Sequence, residues 1–177
     1  DNLSQTVWRS DEIDALQGLM ALSPPVQTLD AVYVLMAANE GANVELVSLS
    51  PSTGEVQWRL HMGEATSFRN CSWNMVTPSM NLLADGDRLF ALTNNGALLR
   101  VNTQTRQIDW ALKLVNPVEG SGNNHRIISV DLQAIRPVNG SMRLYGGVLY
   151  LKEARSNRMY AVQTETGELL WDQSANV

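Results

Sequence analysis

Charge is scarce in this sequence. Asp, Glu, Lys and Arg make up 18% of its 177 residues, below the usual quarter. The 13 Lys and Arg are scattered and the formal net charge is −5, so no basic stripe is available to track a nucleic-acid backbone. Cysteine is nearly absent. Cys71 stands alone, which excludes an intramolecular disulfide within this stretch; with no base to assign to it, it reads as a small buried hydrophobe rather than a nucleophile. No apolar run approaches the roughly 20 residues of a membrane-spanning helix. Hydrophobic residues at 44% are near average, so a real core can form and the chain is neither disordered nor collagen-like.

Catalytic signatures are missing as well. Ser, His and carboxylates are dispersed without a nucleophile elbow, and the glycines fall at turns rather than in a phosphate-cradling loop. His61 and His125 lie far apart, with no Cys or second His at ligand spacing. Asp85-Gly86-Asp87 comes nearest to a calcium loop, but Asp and Gly at that place are what a turn requires. No catalytic, cofactor-binding or metal-ligating residue is assigned, no cofactor is expected from the residues, and enzyme activity stays open. Asn-x-Ser sequons at Asn2, Asn70 and Asn139 carry little weight as glycosylation sites. The first residue is Asp rather than Met, so a processed or trimmed chain is expected.

What is present is a repeat. Leu46–Trp58 (LVSLSPSTGEVQW), Leu98–Trp110 (LLRVNTQTRQIDW) and Met159–Trp171 (MYAVQTETGELLW) each read as an alternating strand, a polar turn and a second alternating strand ending on Trp. Trp8, in QTVWRS, fits the end of the same pattern. The consecutive spacings along Trp8, Trp58, Trp110 and Trp171 are 50, 52 and 61 residues, the range of solenoids and propellers. In the first turn Pro51 presets φ and Gly54 can adopt positive φ, which would close the hairpin with a bulge. Gly167 repeats that ending. The second copy carries Arg106 there, so either Arg106 adopts positive φ at about 1 kcal/mol or the turn type differs.

Along the chain, residues 1–10 read as the closing strand of a preceding unit. Asp11–Met20, after Ser10, reads as a short capped helix or an irregular loop, with Gly18 against the helix. Strands are expected at Val26–Leu29 and Ala31–Met36. The second unit has strands at Ser79–Ala84 and Arg88–Leu92 before its hairpin. In the third, Val130–Ile135 is expected as the inner strand, Arg136–Gly147 as a long turn region with Met142–Tyr145 as an extra strand, and Val148–Leu151 as the next. Loops this short leave no room for crossover helices, so antiparallel meanders follow. The fold expected is all-β: a partial β-propeller of about three four-stranded antiparallel blades plus the closing strand of another. The single segment 1–177 divides into 1–10, then blades 21–61, 77–113 and 127–173. Trp8, Trp58, Trp110 and Trp171 are expected to pack between blades, because a lone meander must have its apolar faces covered by like units. A β-sandwich of seven or more strands is a poorer alternative that makes the Trp spacing a coincidence.

The pieces YVLMAANEGANVELVSLSPSTGEVQW, RLFALTNNGALLRVNTQTRQIDW and VLYLKEARSNRMYAVQTETGELLW resemble the pyrroloquinoline-quinone-like (PQQ-like) propeller repeat, from Tyr33 to Trp171 with gaps. Thr-Gly-Glu-x-x-Trp occurs intact in two copies and is degraded at Arg106 in the other. Propellers of that family have six to eight blades, so the resemblance implies a fragment, or a partial propeller completed by another chain. It also implies an extracytoplasmic, for instance periplasmic, location. Two functions follow from it. One is a protein-binding scaffold, as in the family's outer-membrane assembly lipoprotein. The other is a portion of a quinoprotein dehydrogenase holding pyrroloquinoline quinone and calcium. For the first, the expected partner is a protein or the remaining blades, met through the loops 62–77 and 115–125. Phe68, Trp73, Met75 and His125 are the candidate contacts, although Trp73 could equally be tucked over the blades.

Overall fold

A computed structural model describes residues 6–38, 43–64, 80–93, 96–114, 141–152 and 158–174. Strands β1 (Leu19–Ala21), β2 (Val26–Gln27), β3 (Val32–Ala38), β4 (Asn43–Leu49) and β5 (Val56–Glu64) form the first sheet. β6 (Asn81–Asp85), β7 (Arg88–Leu92), β8 (Ala97–Asn102) and β9 (Gln107–Lys113) form the second; β10 (Ser141–Tyr145), β11 (Val148–Lys152), β12 (Arg158–Gln163) and β13 (Leu169–Ser174) form the third. Every pairing is antiparallel between neighbours, the meander that short loops dictate. The fold is all-β: three antiparallel sheets in the manner of an unclosed propeller.

The sheets are built to one plan. Trp58 stands opposite Ser48, itself opposite Tyr33. Trp110, Arg100 and Phe90 make the matching row in the second sheet, and Trp171, Ala161 and Tyr150 in the third. Each row ends in an aromatic pair across the sheet, with ring centroids 5.7, 6.2 and 6.2 Å apart. A register shift follows each row on the turn side, at Ser48/Leu49, Arg100/Val101 and Ala161/Val162. This is the bulge that a glycine-type turn ending calls for.

Period-two alternation with both faces buried produces three successive cores. Val34, Met36, Val47 and Leu49 pack against the N-terminal segment through Trp8, Ile13 and Leu16. The other face of that sheet, with Tyr33, Leu35 and Leu46, shares a core with Leu89, Ala91, Leu99 and Val101 of the second sheet. Phe90, Leu92 and Leu98 turn the opposite way and pack with Leu149, Leu151, Tyr160 and Val162 of the third. Burying a side chain the size of Phe90 contributes about 2–3 kcal/mol.

Several sequence expectations need correcting. The helix over Asp11–Met20 is replaced by two 3-10 turns, Ser10–Glu12 and Asp14–Leu16, followed by β1. Gly18 takes φ 74°, and Leu19–Ala21 pairs with Met36–Ala38, so tertiary pairing overrides the local pattern. Ser10 lies within the first turn, and no side chain caps that turn. The strand expected at Met142–Tyr145 is present as β10, outermost in the third sheet among the described residues. It joins β11 through Gly146 and Gly147, both at positive φ (58° and 76°), as a two-residue hairpin loop prefers. The stretch Val130–Ile135 lies outside the described residues. Thr6–Arg9 form no strand, although the backbone is extended at Arg9 (φ −130°, ψ 140°).

One repair in the first sheet shows how the chain tolerates Pro24-Pro25. β1 and β2 both pair with β3, interrupted at 22–25. Pro cannot donate to a ladder. At the gap the Leu35 carbonyl accepts from Leu22 N–H at 2.7 Å, and the Leu35 N–H donates to Ser23 Oγ at 3.0 Å. A buried amide that would otherwise be orphaned is thereby satisfied.

Candidate functional site: the junctions between sheets

The turns that follow β4, β8 and β12 lie where one layer meets the next, and in two cases an indole lies against them. Trp8 Nε1–H donates to the Pro51 carbonyl at 2.9 Å, and Trp110 Nε1–H donates to the Thr164 carbonyl at 3.0 Å. Pro51 and Thr164 hold the same place in their turns, three residues before Gly54 and Gly167. Both glycines take φ 73°. A Cβ on Gly54 would stand 2.6 Å from Trp8 Cδ2, and one on Gly167 would stand 2.7 Å from Trp110 Cδ2. Glycine is therefore required twice over, by backbone angle and by the approach of the ring.

At the junction of the first and second sheets the matching pair is Trp58 and Arg106. Arg106 is the one non-glycine residue at positive φ among those described, at 57°. Of the two readings left by the sequence, the positive-φ one is therefore observed. Asn102 Oδ1 supports the turn by accepting from the Gln104 and Thr105 N–H groups, both at 2.9 Å. Among the described residues no hydrogen bond joins Trp58 Nε1 to the Thr103 carbonyl, the counterpart of Pro51 and Thr164. A cleft of about 760 Å³ opens there, lined by Trp58, Tyr33, Thr103, Arg106, Asp30 and Asp87, with Leu29 at its lip. Beneath it the two sheets remain joined by their shared apolar core and by a 2.7 Å bond from Met80 N–H to the Leu22 carbonyl.

The junction of the second and third sheets carries charge instead. Arg100 Nη1 donates to the Thr164 carbonyl at 2.9 Å and to Glu165 Oε2 at 2.8 Å. Its Nε stands 3.0 Å from Asp109 Oδ2 as an ion pair without hydrogen-bond alignment. Arg88 bridges Asp85 in its own sheet and Glu165 in the next. Hydrogen bonding from Arg100, then its charge and the charge of Arg88, hold the Glu165 carboxyl below its ordinary value. Sequence reading missed this group because its members lie in different repeats. The clue available was Arg100 in an otherwise apolar strand, opposite the conspicuous Trp110.

Of the residues singled out from sequence, Trp58, Trp110 and Trp171 occupy one equivalent position in their sheets, and Trp8 meets the turn of the first sheet. Phe68, Trp73, Met75, His125 and Cys71 lie outside the described residues. His61 sits in β5 opposite Glu45. Asp85 and Arg88 flank a two-residue hairpin loop with Gly86 at φ 61°. Among the described residues no three His, Cys, Asp or Glu side chains converge as metal ligands, and no helix is long and apolar enough to cross a membrane. The third sheet leaves Tyr145, Met159, Leu169 and Trp171 exposed.

Comparison with known proteins places this architecture. The BamB structure from Moraxella catarrhalis superposes with a TM-score of 0.56 at 14% identity, covering 86% of this chain and 38% of that one. The computationally designed Ika4 gives 0.55 at 12% identity, covering 93% and 78%, and the designed Ika8 gives 0.53 at 12%, covering 88% and 37%. At such identities the likeness is one of fold. The chain spans well under half the length of the Moraxella catarrhalis protein and of Ika8. No curated protein matches it. The family model described as outer membrane protein assembly factor BamB matches residues 4–173, nearly the whole chain, and the chain therefore belongs to that family of PQQ-like β-propeller proteins.

Proposed function

We propose that the chain is a protein-binding propeller scaffold and forms part of a larger PQQ-like repeat protein outside the cytoplasm. The observation that carries this reading is the family match over residues 4–173 on three like sheets. The blades run 21–61, 77–113 and 127–173, with 1–10 closing a preceding one. Trp8, Trp58, Trp110 and Trp171 act as packing residues between blades; the indole bonds of Trp8 and Trp110 support that role. The exposed face around Trp171 takes a further blade. In support, its Tyr150–Trp171 pair corresponds to the Tyr33–Trp58 and Phe90–Trp110 pairs, each of which packs into a core shared with the following sheet.

Rigid stacked sheets hold the connecting loops in fixed relation, which suits recognition of a protein surface. The partner-facing loops are 62–77 and 115–125, with Phe68, Trp73, Met75 and His125 as contacts. Affinity capture with the full-length protein from outer-membrane extract, compared between wild type and Trp73→Ala, tests this. Loss of a specific co-purifying protein in the variant is the expected result, and undiminished capture removes Trp73 from the contact surface. Calcium-dependent uptake of pyrroloquinoline quinone, with a change in absorption, would overturn the scaffold reading.

A further inference from the structure

The chain makes one arrangement at two junctions and breaks it at the other. Where glycine ends the turn, an indole lies flat on it with its N–H on the turn's first carbonyl. Where Arg106 ends it, a side chain occupies the place in which a Cβ at the other two turns would stand under 3 Å from the ring. Trp58 keeps its ring pair with Tyr33, as Trp110 does with Phe90, but makes no hydrogen bond to the turn, and Trp58 and Arg106 both line the cleft at this junction. Its volume lies within the range of ligand sites. Arg106 keeps a left-handed backbone that glycine would adopt without strain, and such outliers gather at functional sites.

We propose that this cleft is a recognition site for a tryptophan borne on an extended segment of a partner protein, next to a basic residue. The proposal rests on the protein-binding reading and names the chemistry of the partner. A second indole completes the arrangement that Trp58 leaves undone. Its ring stacks between the Trp58 ring and the Arg106 guanidinium, both of which favour a flat aromatic surface. Its N–H donates to the Thr103 carbonyl, as Trp8 and Trp110 donate to Pro51 and Thr164. Asp30 and Asp87 line the same cleft and complement a neighbouring Lys or Arg. Leu29, 93% exposed, supplies an apolar lip for the segment.

Fluorine NMR of the full-length protein labelled with fluorotryptophan tests this, with the Trp58 line assigned by Trp58→Phe. The probe is an acetylated, amidated peptide of sequence Gly-Ser-Lys-Trp-Ser-Gly, beside its counterpart with Ala for Trp. A saturable shift of the Trp58 line is expected, with the Trp8 and Trp110 lines unmoved. Arg106→Gly, which lets Trp58 settle on the turn, weakens binding roughly tenfold or more; it relieves strain, so misfolding does not confound it. Asp30→Asn weakens it less. An unresponsive Trp58 line, an equal response to the Ala peptide, or undiminished binding by Arg106→Gly overturns the proposal. If Trp58 stays silent while partner capture through Trp73 persists, the scaffold reading stands and this site falls. If the peptide binds but no partner is captured, the cleft stands and the scaffold reading falls.

Discussion

Replacing Gly167 by Ala isolates what the indole contributes at a junction. The new methyl would start 2.7 Å from Trp110 Cδ2 and 2.9 Å from Cε3, so the ring must move off the turn. Alanine at φ 73° costs about 1 kcal/mol in backbone strain. Losing the bond from Trp110 to the Thr164 carbonyl costs about 1 kcal/mol more, and partial exposure of the ring about 1 kcal/mol again. Gly146→Ala is the matched control. Gly146 lies in the same sheet at φ 58° with nothing within 4 Å of its Cβ position, so it carries the strain alone. Gly167→Ala should therefore be less stable than Gly146→Ala by about 2 kcal/mol. In a chain of this length that is roughly 4–8 °C of melting temperature, followed by circular dichroism. Equal melting of the two variants would refute the idea that the indole on the turn helps to hold the sheets together.

Arg106→Gly should act in the opposite sense. Relief of about 1 kcal/mol of strain is largely offset by the flexibility glycine adds to the unfolded chain, so the net gain, about 1 kcal/mol, comes from the Trp58 hydrogen bond to Thr103; thermal melting and Trp fluorescence check it. Ser23→Ala leaves the buried Leu35 N–H without its acceptor and should cost about 1–3 kcal/mol in urea denaturation. For Glu165, whose carboxyl titrates lower folded than unfolded, the sign is fixed. Its contribution is whole above the ordinary glutamate value and is lost as pH falls from there through the lowered one. Glu165→Gln should flatten the acid limb of stability in that window, and salt should shrink the difference because the carboxylate is exposed; unchanged acid limbs for wild type and variant would count against the Arg100–Glu165 link.

Much of the fold was legible because it rests on local rules. Alternation over Leu46–Leu49 and Val56–Leu60, with Pro51 and Gly54 between, specifies a hairpin whatever surrounds it. The same holds at Leu98–Trp110 and Met159–Trp171, and the shared Trp marked the three as equivalent. The candidate site was less legible. Arg106 stood out as a departure from the repeat, but that Trp58 makes no hydrogen bond to this turn and that a cleft lies between the two depends on the neighbouring sheet. Arg100 and Glu165 sit in different repeats, and no spacing rule joins them.

By itself the sequence determined the three tryptophan-ended hairpins, their turns and their recurrence as like units, since each follows from side-chain period and from backbone angles open to glycine and proline. Only the tertiary structure decided that Leu19–Ala21 is strand rather than helix, that Ser23 mends the ladder at Leu35, and that one of three junctions stands open. Those outcomes depend on which distant group satisfies an amide, a ring or a charge, and only the folded arrangement brings such groups within hydrogen-bonding distance.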